Sequence, residues 1–372
     1  MIMKKRINGI EKSFLPVLLL LHITGLESYP NGGFLRQTGY HHFTWEFPRY
    51  LFRFLQCLAI ITEALSFVLL PEKKKPTAVF ILVLLQLTVN LQTRRSRKQI
   101  RIILMKLWKC TQMLQCDQNG RKFQTSIFAY CFVTIVMFAC FISLYRFSDE
   151  FEMYRNLMEN SSHKFPKLKP FIKFIPEASV ISIPTVVALV FIPLTGYYGF
   201  VCFYVKFLFN RIEEKIQLLS KDCPYVLLIQ SYLELVSIMK YLDDYLSFSA
   251  FVVVLSAMFG LFFINFNIIF LSDDYLHAFF GEIGILVPVC MVILSASAAN
   301  QAFFTAKEAL QSLPWKIPQY RDKLKEMIRS ECMRSVSLTL WKTYKIERSL
   351  IFSAMGTLVT YGMLMATLGG IK

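Results

Sequence analysis

The sequence predicts an all-α protein that spans a membrane seven times. Three observations support this class: 55% of the 372 residues are apolar, the mean hydropathy is positive, and the charges lie between long apolar runs. This composition is typical of integral membrane proteins. The net charge of +16 does not indicate nucleic-acid binding, because no DNA- or RNA-binding motif interleaves with the basic residues.

Seven apolar segments are candidates for the spans, since about 20 apolar residues cross a hydrocarbon core of about 30 Å as a helix. The second segment is the shortest and therefore the weakest candidate. The segments are Tyr50–Leu70, Thr77–Leu91, Ile127–Arg146, Val180–Lys206, Phe248–Leu271, Phe279–Phe303 and Leu350–Gly370.

Residues 1–49 precede the first span and contain a short apolar run, Phe14–Leu26. No small-residue cleavage site follows this run, so we do not predict a secretory signal peptide. We expect an interfacial helix that leads into the first span. Within that span, Glu63 lies near mid-depth, where an acid normally faces the helix bundle; a functional role and a structural ion pair are both open.

The distribution of Lys and Arg predicts the orientation. Thirty of the 41 lie in the N-terminal segment and in the second, fourth (with Lys206 at its border) and sixth connections, whereas nine lie in the other connections and at the C-terminus. Since positively charged loops stay in the cytoplasm, we expect a cytoplasmic N-terminus and an extracellular C-terminus, in a multi-pass protein of the plasma membrane. The sequon at Asn160 falls in an outer loop, where we predict glycosylation. That loop contains Pro166, Pro170 and Pro176, and we expect it to be irregular.

Long connections lie on the predicted cytoplasmic side. The basic connection 92–126 and the segments 207–247 and 304–349 carry apolar residues at helical spacing among their charges. Such apolar faces must be buried, within one chain or between several. We therefore predict a cytoplasmic helical anchor region beneath transmembrane helices 1–4 (50–206), 5–6 (248–303) and 7 (350–372).

The last span has an unusual polar face. At helical spacing it presents Ser353, Thr357, Thr360, Leu364, Thr367 and Ile371 on one side. Such a face suits a water-filled path that one apolar ring could close. Equally, the hydroxyls could bond their own backbone inside an ordinary helix bundle. The spacing alone leaves both interpretations open.

Several function classes are not supported by the sequence. It contains no glycine-rich phosphate loop, no Gly-x-Ser-x-Gly and no His-Glu pair on a helix, so we do not expect an enzyme. The cysteines fall in spans or in loops placed in the cytoplasm, and they show no disulfide framework or metal-ligand spacing. We therefore expect no cofactor and no metal.

The C-terminal sequence resembles that of the arthropod gustatory and odorant receptor superfamily, and is closest to gustatory receptors. Members end in Thr-Tyr, five apolar residues and Gln-Phe or Gln-Leu; here Thr360-Tyr361 is followed by five apolar residues and Thr367-Leu368, so that Thr367 replaces the Gln. The segments 345–350, 232–249 and 14–30 also resemble the family's entry to the last span, the region before the fifth span and the start of the chain.

This resemblance implies a tetrameric, ligand-gated, nonselective cation channel formed by identical or related subunits in lipid. Four copies of the last span would line one pore, with Leu364 at the apolar gate and Thr367 in the polar ring above it. The remaining candidate pore residues are Thr357, Thr360 and Ile371.

The resemblance also implies a small-molecule ligand, a tastant or an odorant, bound among the outer halves of the spans. Candidate pocket residues are Phe141, Tyr145, Asn265, Asn267 and Glu282, each of which could equally belong to the packed core. The polar members suit a sugar-like tastant, and the aromatic ones suit an apolar volatile. Two alternatives stay open: a seven-span receptor or transporter without its own pore, and a non-conducting subunit that needs a partner.

Overall fold

The computed structural model describes residues 2–25, 43–70, 74–116, 120–162, 169–218, 225–270, 276–332 and 335–354, together with residues 356, 357, 360 and 367. Nearly all of these residues are helical. The helices are α1 (Ile2–Ile23), α2 (Phe43–Leu69), α3 (Lys74–Arg95), α4 (Arg97–Met113), α5 (Gly120–Tyr145), α6 (Asp149–Ser162), α7 (Lys169–Ile172), α8 (Phe174–Gln217), α9 (Tyr225–Phe270), α10 (Leu276–Lys316) and α11 (Arg321–Met327). A helix also begins at residue 349.

Helix α8 forms the centre of the bundle and contacts α1, α2, α5, α9 and α10. Every residue from Val190 to Cys202 is buried. A helix that is apolar on all sides has no face to turn towards water, so its neighbours must surround it. Two glycines of α8 allow close approaches, because a methyl group at Gly196 would lie 3.0 Å from Tyr130 Cε1, and one at Gly199 would lie 2.6 Å from Met291 Cγ.

Five of the described helices are long and apolar enough to cross a membrane, namely α2, α5, α8, α9 and α10. They correspond to the predicted first, third, fourth, fifth and sixth spans. The predicted second span is α3, which ends in Arg94 and Arg95 and is not among the five. Much of the predicted seventh span lies outside the described residues.

Helix α1 packs inside the bundle through its apolar residues. Phe14, Val17 and Leu21 are fully buried, and α1 contacts α5 and α8. The ring of Phe14 lies 5.5 Å from that of Phe123 and 6.3 Å from that of Tyr197. The run predicted as an interfacial helix therefore contributes to the core of the protein.

An aromatic cluster joins the C-terminal part of α8, the N-terminal part of α9 and the C-terminal part of α10. Phe209, Tyr232 and Phe303 lie with ring centroids 5.8 to 6.0 Å apart, and all three are fully buried. Two lysines satisfy nearby carbonyl groups, since Lys215 Nζ donates to Leu114 O at 2.7 Å and Lys316 Nζ donates to Ile216 O at 2.9 Å. Basic side chains are favourable at these helix ends.

Helices α4 and α9 are also joined by charge. The ammonium groups of Lys106 and Lys109 lie 3.4 Å and 2.5 Å from the carboxylate of Glu234. The hydrogen bond and the charge of Glu234 raise the pKa of Lys109 above its usual range. The basic connection after the second span is thus tied to the long helix that precedes the fifth span.

A short hairpin leads from α11 to the C-terminal helix. Its strands β1 (Thr339–Leu340) and β2 (Tyr344–Lys345) pair in antiparallel register. The turn places Trp341 at φ 49° and Lys342 at φ 57°, which is a strained conformation for residues with side chains. Contacts with α9 hold the turn: Trp341 N–H donates to Ser247 O at 3.3 Å, and Lys342 pairs with Asp244 at 2.7 Å.

The side chain of Asn300 in α10 forms hydrogen bonds with both ends of this hairpin. Its Nδ2 donates to Leu338 O and to Ile346 O, each at 3.1 Å, and its Oδ1 accepts from Leu338 N–H at 2.7 Å. Asp243 of α9 accepts from the backbone N–H and the hydroxyl of Thr339. The C-terminal helix therefore starts from a point that is fixed to α9 and α10.

Candidate functional site

The predicted pore face is exposed wherever the structure describes it. Ser353, Thr357, Thr360 and Thr367 are all exposed in the single chain. The hydroxyls of Thr357 and Thr360 donate to the carbonyls of Ser353 and Gly356, each at 2.8 Å. Leu364 and Ile371 lie outside the described residues, so the gate position stays a prediction.

These backbone hydrogen bonds determine which hydrogen-bonding groups the threonine side chains present outside the helix. A hydroxyl group has one donor hydrogen and two acceptor lone pairs. Since the hydrogen is used within the helix, each oxygen presents only acceptor capacity outwards. The polar face thus has the chemistry of a surface that contacts water or cations rather than anions.

Four of the five predicted pocket residues meet where α5, α9 and α10 converge. Phe141 and Tyr145 stack with ring centroids 5.8 Å apart. The ring of Phe141 covers Gly281, where a methyl group would lie 2.9 Å from its Cδ2. Next to this glycine, Glu282 is hydrogen-bonded to Asn265, which also donates to Leu261 O at 2.8 Å. The side chain of Asn267 lies outside the described residues.

A second group of polar side chains, which we call the polar cluster, lies between α2, α5, α6, α8 and α10. Its centre is the hydroxyl of Tyr154, which lies 2.7 Å from Ser66 Oγ and is hydrogen-bonded to Ser179. At its other side, His277 Nε2 lies 3.6 Å from Glu150 Oε2. The members are Glu63, Ser66, Tyr145, Glu150, Tyr154, Ser179, Ser182 and His277.

Tyr145 joins the two sides of the polar cluster. Its ring lies 5.6 Å from that of His277, and its hydroxyl interacts electrostatically with Glu150, Tyr154 and Glu63. Glu150 and Tyr154 lie four residues apart and therefore share one face of α6. Helix α6 thus covers the cluster. The prediction of an irregular loop was wrong for the described residues, because Pro170 and Pro176 lie in the first turns of α7 and α8, where proline is tolerated, and Pro166 lies outside the described residues.

Three buried atoms of the polar cluster have no hydrogen-bond partner among the described residues. They are Glu63 Oε2, Ser182 Oγ and His277 Nδ1, and their side chains belong to residues with 5%, 0% and 4% exposure. Buried polar atoms are nearly always paired in proteins. Their presence marks this region as a candidate ligand site.

An apolar cavity of about 180 Å³ lies beside the polar cluster, between α1, α5 and α8. Ile142 and Thr185 line it, and they lie three residues before Tyr145 and three residues after Ser182. A rise of three residues, about 4.5 Å along the helix, therefore separates each from its neighbour in the cluster. The other lining residues are Leu20, Ile135, Phe138, Ala139, Ala188, Leu189, Ile192 and Pro193.

The sequence signals of this region were unequal. Glu63 was visible as an acid within a predicted span, and Tyr145 was a predicted pocket residue. Ser182, Tyr154 and His277 were missed, because isolated serines, tyrosines and histidines are common in membrane helices and loops. Asn160, the predicted glycosylation site, is exposed on α6. Among the described residues, no three His, Cys, Asp or Glu side chains gather to hold a metal ion.

Sequence comparison finds one matching family model. It is described as a trehalose receptor family and matches residues 197–370, from the middle of α8 through the C-terminal helix. No curated protein sequence matches the chain significantly.

Two solved structures of one receptor share the fold over nearly the whole chain. The insect olfactory receptor OR5 from Machilis hrabei in complex with eugenol has a TM-score of 0.73 and 10% sequence identity, covering 96% of this chain and 98% of its own. The structure of the same receptor reported without a named ligand has a TM-score of 0.67 and 12% identity, covering 96% and 99%. The similarity therefore shows a shared fold over nearly the whole chain.

Proposed function

We propose that the chain is a member of the insect gustatory and odorant receptor superfamily and that it acts as a ligand-gated cation channel whose pore is lined by its C-terminal helix. It is a multi-pass membrane receptor and not an enzyme. We further propose that four subunits surround one axis, that Leu364 forms the gate, and that the protein lies in the plasma membrane.

One observation carries the proposal. All four described residues of the hydroxyl face are exposed in the single chain, although the face belongs to an apolar membrane segment. A hydroxyl-lined face gains little from contact with lipid. Surrounding a water-filled axis with copies of this face gives it a polar environment, and the acceptor oxygens of Thr357 and Thr360 favour cations over anions.

A small organic molecule is the proposed stimulus. The related solved receptor binds eugenol and the matching family model carries the description trehalose receptor, so the superfamily comparison favours a small ligand without choosing its class. The convergence of Phe141 and Tyr145 with the polar cluster and the cavity supports a binding region on one side of the bundle. Ligand binding there would bias the bundle between a closed and an open arrangement.

The experiment measures current across planar bilayers that contain only the purified protein. If Leu364 is the gate, Leu364→Ala raises the resting cation leak several-fold, because a smaller ring no longer excludes water. Leu358→Ala is the matched control, since Leu358 lies on a different stripe of the same helix, and it should leave the leak unchanged. Thr360→Val, which replaces the oxygen by a methyl group, should lower the open-channel conductance.

Some outcomes would contradict this proposal. Equal leaks in the two leucine variants would exclude a gate at Leu364. Absence of any current from protein that still binds ligand would favour the alternative of a receptor without its own pore, and current only on co-expression with a related subunit would favour the non-conducting subunit.

A further inference from the structure

The polar cluster lacks a hydrogen-bonding group. Glu63, Ser182 and His277 come from three different helices, α2, α8 and α10, and each leaves one buried atom without a partner among the described residues. Glu63 and Ser66 lie one turn apart on α2, as Ser179 and Ser182 do on α8. Since Ser66 and Ser179 both meet the hydroxyl of Tyr154, the unpartnered atoms of Glu63 and Ser182 lie one turn deeper on the same two faces.

The missing group must donate hydrogen bonds. An ionised carboxylate only accepts them, and the Ser182 oxygen accepts readily. The Nε2 atom of His277 faces the Glu150 carboxylate, which favours the proton on Nε2 and leaves Nδ1 as an acceptor. The three residues surround Tyr145 and Tyr154: His277 contacts the ring of Tyr145, Glu63 interacts with both tyrosines, and Ser182 lies three residues after Ser179, which is hydrogen-bonded to Tyr154.

A positively charged group suits Glu63 better than a neutral one. No Lys or Arg among the described residues forms an ion pair with Glu63, although a buried carboxylate is unfavourable unless it is paired. Glu150, the other buried acid of the cluster, adds negative charge on the far side of Tyr145. A neutral sugar or alcohol would satisfy the hydrogen bonds and leave the charge of Glu63 uncompensated.

The adjoining cavity limits the remainder of the ligand. It measures about 180 Å³ and its lining is almost entirely apolar. An apolar cavity of roughly 150 Å³ can hold one benzene molecule, so this one accommodates a single aromatic ring. The cavity begins three residues, or about 4.5 Å of helix, from the polar cluster along both α5 and α8, which matches the short linker of an arylethylamine.

We propose that the polar cluster and the cavity together bind a primary amine that carries one aromatic ring. The ammonium group donates to Glu63, Ser182 and His277, and the ring lies between α5 and α8. This inference rests on the proposed receptor function and names the chemical class of its ligand. Binding itself can be measured without any channel activity.

The test compares 2-phenylethylamine with 2-phenylethanol, which have nearly the same shape and differ in the charged group. Binding to the purified full-length chain in lipid nanodiscs is measured by calorimetry at neutral pH. Wild-type protein should bind the amine at least tenfold more tightly than the alcohol. Glu63→Gln keeps the size of the side chain and removes its charge, and it should abolish this preference.

Further variants separate the two parts of the site. Ser182→Ala should weaken amine binding several-fold, and it keeps the test informative if Glu63→Gln does not fold. Ala188→Phe fills the cavity and should weaken the amine and the alcohol alike. Glu152→Gln, which neutralises an exposed acid on α6, is the matched charge control and should change neither affinity.

The inference is overturned if the wild-type protein binds both compounds equally or neither, if the preference for the amine survives in Glu63→Gln, or if trehalose binds in a Glu63-dependent manner and the amine does not. Amine binding without any current would contradict the channel proposal and leave this inference standing. A current opened by another ligand, without amine binding, would support the channel proposal and contradict this inference.

Discussion

Gly199 allows α8 and α10 to touch at the centre of the bundle. A methyl group there would lie 2.6 Å from Met291 Cγ and 2.9 Å from its Cε. The shorter of these contacts is to an atom in the middle of the side chain, so Met291 cannot avoid it by moving its terminal methyl group. Both side chains belong to a close-packed interior that does not absorb added volume easily.

We predict that Gly199→Ala destabilises the protein by about 1–3 kcal/mol, which is the usual cost of added volume in a packed core. Thermal unfolding in detergent should show a lower midpoint. Adding Met291→Ala should restore much of the loss, since it removes the obstructing atoms. Gly356→Ala serves as control, because a methyl group at Gly356 meets nothing within 4 Å. A midpoint that is unchanged in Gly199→Ala would show that the two helices separate without cost.

Among elements, the hairpin between α11 and the C-terminal helix is held by hydrogen bonds from both α9 and α10. Asn300 alone makes three, and all of them are buried. The strained turn at Trp341 and Lys342 persists because Trp341 also packs on Phe248 and Phe251, with ring centroids 5.9 Å and 5.2 Å away. Backbone strain of this kind persists only when surrounding contacts enforce it.

We predict that Asn300→Leu destabilises the hairpin by about 2–4 kcal/mol, because it leaves the N–H of Leu338 and the carbonyl of Ile346 without partners in a buried place. The Leu338 carbonyl keeps its bond from the Ile346 N–H. Amide hydrogen exchange over residues 335–350 should accelerate by at least tenfold. Glu308→Leu, an exposed change on the same helix, should leave that exchange unaltered. Unchanged protection in Asn300→Leu would mean that the contacts of Asp243 and Trp341 suffice.

The extent to which the sequence predicts these elements depends on the range of the interactions involved. Long apolar runs predict the helices of five spans, because burial in lipid is decided locally along each run. The hairpin was not predicted: its two-residue strands are too short for any periodicity, and Trp341 and Lys342 are not typical residues for such a turn. The polar cluster depends on α2, α5, α6, α8 and α10 meeting, and that arrangement is decided by tertiary packing between residues up to 127 positions apart, as for Glu150 and His277.

For the whole molecule, the exposed C-terminal helix is the surface through which the proposed assembly of several chains would form. Phe352, beside the hydroxyl face, is 76% exposed in the single chain. By contrast, the region where α4 packs against the C-terminal part of α8 is buried within one chain, together with the neighbouring parts of α9 and α10. Leu107, Leu242 and Leu310 are fully buried there. Any contact between chains must therefore involve the C-terminal helix and outward faces rather than this interior.

We predict that Ser353→Cys, in a background with the exposed Cys57 replaced by Ser, can be cross-linked between chains by a short bis-maleimide. Gel electrophoresis should show a ladder that ends at four subunits. Phe147→Cys is the control, since Phe147 is 84% exposed at the other end of the bundle and should give little cross-linking. Single chains in both variants, or equal ladders, would contradict an axis formed by the C-terminal helix.

Helix α8 is unbroken over 44 residues, which makes it about 66 Å long. It carries Ser179 and Ser182 of the polar cluster near one end and Ile216, bonded to Lys316 of α10, near the other. Such a long helix is rigid along most of its length. It can bend at Pro184 and Pro193, because neither proline can donate a backbone hydrogen bond. A ligand bound at Ser182 would contact α8 two residues before Pro184, the first of these two points. A small sideways displacement of the helix there would tilt the longer part of α8 that follows Pro184.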